Sequence, residues 1–93
     1  MQIDEIKKVF HKILKKHNVK KAALFGSVVR NEITKESDID LLIEFGEKKS
    51  LLDLVGLKLE LQELLGRKVD IVTYASLHPL LKEKILEEQE IIL

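Results

Sequence analysis

The chain has 93 residues, with 16 Lys and Arg against 16 Asp and Glu and no cysteine. That length fits one domain over residues 1–93, small enough to invite a homo-oligomer or a protein partner. Balanced charge gives no net pull toward nucleic acid or membrane, the lack of cysteine excludes disulfides and thiolate chemistry, and the absence of an apolar leader or a long apolar run points to a soluble, cytoplasmic protein.

Ile3, Ile6, Phe10, Ile13 and Leu14 recur at helical spacing, so an amphipathic helix is predicted over Ile3 to Lys16, with Asn18 placed to end it. The apolar run Ala22 to Phe25 reads as a buried strand that Gly26 terminates. A polar stretch from Asn31 to Ser37 follows, and Ile39 to Phe45 is a second strand interrupted by Asp40 and Glu44. Gly46 to Ser50 makes a turn, with Ser50 as cap of a strongly apolar helix from Leu51 to Leu65 that stops at Gly66. Val69 to Val72 is a third strand, and Pro79 opens a last helix running to about Glu88. The tail Glu90 to Leu93 carries no assignment. The fold class is therefore α/β (α+β), a small mixed three-stranded sheet with helices packed on one face.

Gly26 and Ser27 sit where a strand gives way to a turn. Glycine lets the backbone approach a ligand closely, and a short helix after it turns N–H groups toward an anion such as phosphate. Taken alone, such a pair is an ordinary tight turn. Asp38 and Asp40 lie two residues apart at the start of the second strand and so project from one face. Taken alone, they are a solvated strand end.

Topology brings these pieces together. If the first two strands are antiparallel, Gly26 becomes the neighbour of Asp38, and a helical crossover sets the third strand parallel to the second, placing Asp70 at the same sheet end. Three carboxylates there repel one another unless cations are bound, and a metal pair about 3.5–4 Å apart is the familiar remedy. Magnesium suits such oxygen donors.

Leu24-Phe25-Gly26-Ser27, Arg30 and Ser37-Asp38-Ile39-Asp40-Leu41-Leu42-Ile43 resemble the signature of the polymerase-beta-like nucleotidyltransferases, and Val69-Asp70-Ile71-Val72 resembles their third-carboxylate strand. The likeness covers Ala22 to Leu86, and the short length is similar to the minimal nucleotidyltransferases (MNT), antitoxins paired with helical HEPN toxins. The resemblance implies that Gly26 and Ser27 hold the triphosphate of ATP, that Asp38 and Asp40 bind two magnesium ions, and that Asp70 adds a third metal-ligating carboxylate and accepts the proton of the attacking hydroxyl. Arg30 would support the loop or the phosphates, or else be a surface arginine. Asn31 stands where the family commonly has glycine, and asparagine tolerates left-handed geometry better than most residues.

The implied activity is transfer of AMP to a hydroxyl, tyrosine by expectation, of a HEPN toxin. The alternative is a catalytically silent antitoxin that neutralises its partner sterically. Action on nucleic acid has little support, since only four aromatic residues are present and no basic groove is evident. If Asp38, Asp40 and Asp70 face open space, Leu42, Glu44 and Val72 share that face, and the toxin is expected to cover it. Ile39, Leu41, Ile43, Val69 and Ile71 then pack beneath the helices. His11, His17 and His78 have no ligand spacing, Arg67 and Lys68 read as a solvated turn, and Tyr74 as loop packing rather than base stacking.

Overall fold

Ile6, Phe10 and Leu14 fall on one side of the first helix, α1 (Ile3–Lys16), and all three are fully buried. The computed structural model describes residues 3–30, 32, 34 and 38–93, so the geometry expected at Asn31 and at Ser37 lies outside the described residues. After α1, Asn18 takes φ 61°, a left-handed conformation that asparagine accepts, and turns the chain into β1 (Val19–Phe25). This strand begins three residues ahead of the apolar run, because Lys20 and Lys21 point to solvent beside an irregularity in the pairing near Val19.

β2 (Ile39–Phe45) runs antiparallel to β1, and β3 (Val69–Thr73) runs parallel to β2 after the crossover helix α2 (Leu51–Leu65). Ser50 caps α2: its hydroxyl accepts from the Asp53 N–H, and the Asp53 carboxylate accepts from the Ser50 N–H at 2.9 Å. Gly66 ends the helix at φ 64°. The last helix, α3 (Pro79–Glu88), starts with proline in its first turn and is capped by His78, whose Nδ1 accepts from the Leu80 N–H.

The tail forms a fourth strand, β4 (Glu90–Ile91), antiparallel to the free edge of β1, giving the order β3-β2-β1-β4. Two residues carry too little pattern to announce a strand; an edge with unpaired N–H and C=O groups recruits them.

α1 and α2 cover one sheet face. Ile39, Leu41, Ile43, Val69, Ala22 and Leu24 meet Ile6, Phe10, Leu14, Leu57 and Leu61 there, with Ile71 at the margin. Each of the branched aliphatic or aromatic side chains among them contributes about 1.5–3 kcal/mol on removal from water. The opposite face differs from expectation. Leu42 is fully buried, as is Ala23 opposite it on β1, so the two do not lie on an open surface. The chain after β3 folds back: the turn Tyr74–Ser76 lies against β2, and Tyr74, Leu86 and Gln89 gather around Lys21 and Ile91. Glu44 and Val72 remain partly exposed. Larger apolar exposure lies elsewhere, at Leu52, Val55 and Leu59 on the outer side of α2. No described helix is long and apolar enough to cross a membrane.

Candidate active site

β1 ends at Phe25, whose register partner on β2 is Asp40, and Asp40 in turn stands opposite Asp70 on β3. The antiparallel and parallel pairings thus deliver the glycine turn and two carboxylates to one sheet end. Asp38, just ahead of β2, is half-exposed and lies 3.8 Å from Lys68 Nζ. Ile39 N–H donates to the Lys68 carbonyl at 2.9 Å, tying the segment carrying Asp38 to the start of β3.

Gly26 is required here for two independent reasons. Its φ of 77° is left-handed, and a β-carbon at this position would run into the Asp40 carboxylate. Gly26–Val28 forms a single tight helical turn, closed when the N–H groups of Val29 and Arg30 donate to the Gly26 carbonyl at 3.1 and 3.2 Å. Ser27 is partly buried within it, and its carbonyl accepts from the Glu32 N–H at 2.9 Å. Arg30 follows on the surface, donating from Nε to Glu32 at 3.2 Å and from Nη1 to Glu88 at 2.7 Å.

Partial burial, then the neighbouring charges of Asp70 and Asp38, raise the Asp40 carboxyl above its ordinary value, while Arg30 acts in the opposite sense. Repulsion of this kind is what a cation relieves, and carboxylate oxygens are the donors that magnesium takes. The donor set therefore fits a hard divalent ion, although no three ligating side chains among the described residues already converge on one point.

The remaining residues behave structurally. His17 bonds the Glu60 carboxylate at 2.5 Å, and His78 caps α3. Tyr74 donates to Gln89 Oε1 at 3.3 Å, and burial followed by the Glu44 charge raises its phenol. Arg67 donates to the Thr34 carbonyl at 2.6 Å. Glu88 was not anticipated from sequence: it reaches Gly26 and Arg30 from 62 and 58 residues away, and no local pattern marks it out from Glu87.

The family model described as the nucleotidyltransferase domain matches residues 3–92 of the chain. The chain belongs to the nucleotidyltransferase family. A relative from Methanocaldococcus jannaschii that bears a protein adenylyltransferase name is 61% identical over 88 residues, covering 95% of each chain. The protein adenylyltransferase MntA of Thermococcus cleftensis is 35% identical over 92 residues, covering 95% of this chain and 93% of its own. Among solved structures, a minimal nucleotidyltransferase superposes with a TM-score of 0.84 at 38% identity, covering 97% and 95% of the two chains. The complex of a tri-AMPylated Shewanella oneidensis HEPN toxin with its MNT antitoxin shares the fold, with a TM-score of 0.75 at 18% identity over 97% of this chain and 71% of that one. This chain is accordingly a nucleotidyltransferase enzyme built on the minimal nucleotidyltransferase fold, with relatives that bear protein adenylyltransferase names.

Proposed function

We propose that this nucleotidyltransferase uses magnesium ATP to transfer AMP to a hydroxyl, a tyrosine in our reading, on a HEPN-type toxin, and serves as the antitoxin of that pair. The observation that carries this reading is the side-by-side placement of Asp40 and Asp70 next to a glycine turn that admits no side chain. The names borne by the relatives and by the Shewanella complex support the acceptor class.

In this reading the Gly26–Ser27 turn receives the triphosphate, and Arg30 adds positive charge on the same side. Asp38, Asp40 and Asp70 would hold two magnesium ions, which supply charge neutralisation for the phosphates. The acceptor hydroxyl loses its proton to Asp70 as its oxygen bonds the α-phosphorus. The bond from that phosphorus to the oxygen bridging to the β-phosphorus breaks, and pyrophosphate leaves. The product is an adenylylated side chain and one proton held by the enzyme.

Intact-mass measurement of the cognate toxin after incubation with this enzyme, magnesium and ATP tests the reading. A gain of whole adenylyl units, absent with the Asp38→Asn, Asp40→Asn variant, is the expected result. Tight binding that suppresses the toxin without any mass gain would instead establish steric neutralisation.

A further inference from the structure

Glu88 is the last residue of α3, and its Oε1 accepts two hydrogen bonds from the nucleotide turn: from the Gly26 N–H at 3.1 Å and from Arg30 Nη1 at 2.7 Å. The Glu88 side chain is 19% exposed, while that of Arg30 is 44% exposed, so the carboxylate is the enclosed member of the pair. Charge-assisted bonds of this kind are short and directional.

The carboxylate is anchored from both sides. Before it, α3 closes with the Gln89 N–H donating to the Ile85 carbonyl at 2.9 Å. After it, β4 pairs with β1, Glu90 opposite Leu24 and Ile91 opposite Ala23, so the strand that leads into Gly26 is the one that holds the residues following Glu88. The Ile92 N–H adds a bond to the Ala22 carbonyl at 2.8 Å. These backbone bonds fix where the end of α3 that carries Glu88 sits relative to the turn.

What this does to the two donors differs. Gly26 has one N–H, and the bond to Glu88 sets the orientation of the peptide entering the left-handed turn. Arg30 carries five N–H donors in a planar fork, so contacts from Nε to Glu32 and from Nη1 to Glu88 fix the plane without exhausting it.

We propose that Glu88 is a positioning residue for nucleotide binding, which clamps the Gly26 turn and aims the Arg30 guanidinium before the triphosphate arrives. This rests on the reading of the turn as the triphosphate seat. Preorganisation of that kind acts on affinity more than on the chemical step.

The test uses the full chain with Glu88→Ala and Glu88→Gln, the latter keeping an oxygen acceptor for Gly26 while removing the charge that holds Arg30. Without nucleotide, amide exchange at Gly26 followed by NMR is expected to speed up in Glu88→Ala and to stay near wild type in Glu88→Gln. With magnesium ATP and the toxin, Glu88→Ala is expected to raise KM for ATP by about tenfold with kcat within about twofold, because a charge-assisted bond that orders the binding groups is lost. Glu88→Gln is expected to fall between, and Arg30→Ala, which also removes the positive charge beside the phosphates, to raise KM on its own and to combine with Glu88→Ala less than additively, since the two share one contact. A lowered melting temperature with unchanged KM would reduce Glu88 to a structural strut and overturn the proposal, as would tighter ATP binding in either variant. Failure of the wild type to bind magnesium ATP would instead remove the triphosphate-seat reading, and the positioning role with it.

Discussion

Asp40 on β2 and Asp70 on β3 are register partners in a parallel pair, and the Asp40 carboxylate occupies the space into which a side chain on Gly26 would project. One residue thus connects the acid cluster to the turn, so substitutions on either side of the contact are expected to be felt on the other.

Gly26→Ala is expected to lose both stability and transfer. The left-handed φ costs an alanine about 1–2 kcal/mol, and the collision with Asp40 adds to it by displacing a proposed metal ligand. Denaturant midpoints give the first effect and the toxin mass assay the second. An alanine variant with wild-type activity would contradict the tight approach.

The raised Asp40 carboxyl has a definite consequence for stability. Burial first, then Asp70 and Asp38, keep its proton on in the folded chain to a higher pH than in the unfolded chain. A carboxyl shifted in this direction costs nothing below its unfolded value and subtracts stability as pH rises through the folded one. Asp40→Asn is therefore expected to be more stable than wild type at about pH 7, with the advantage fading as pH falls to the ordinary carboxylate range near about 4. Asp53, lowered chiefly by the Ser50 backbone N–H, and Glu60, lowered chiefly by His17, act in the opposite sense in both proteins. The difference between variant and wild-type midpoints across pH isolates Asp40, and parallel curves would rule its contribution out.

Magnesium is expected to relieve the same repulsion and to stabilise the fold. At about a hundred times its dissociation constant a ligand specific for the native state adds about 2.7 kcal/mol. Calorimetry with and without magnesium would show a higher Tm in wild type and a much smaller rise in Asp38→Asn, Asp40→Asn. An equal rise in both would place the ion elsewhere.

Leu42→Ala tests the face that proved to be closed. Leu42 is fully buried opposite Ala23, so truncation is expected to cost about 2–5 kcal/mol. A charged residue there would be expected to unfold the chain rather than merely weaken toxin binding. Chemical denaturation of the isolated protein measures the first effect, and a change under about 0.5 kcal/mol, as expected of a surface site, would contradict the burial.

Much of this molecule follows from local pattern. The bounds of α1, β2, α2 and α3 agree with helical periodicity, the Ser50 and Gly66 caps and the proline at 79, because each signal acts within a few residues of itself. The antiparallel then parallel order of the strands was likewise legible, since crossover rules leave few alternatives, and it brings Gly26, Asp40 and Asp70 to one sheet end. What only the tertiary structure decided lies in the C-terminal quarter. The strand at Glu90–Ile91 exists because β1 offers an edge, the burial of Leu42 because the chain after β3 returns over that face, and the hold of Glu88 on Gly26 and Arg30 because both place its carboxylate there. Those outcomes depend on contacts between segments far apart in the chain, and neither the propensity of two residues nor the charge of a single glutamate encodes its distant partner.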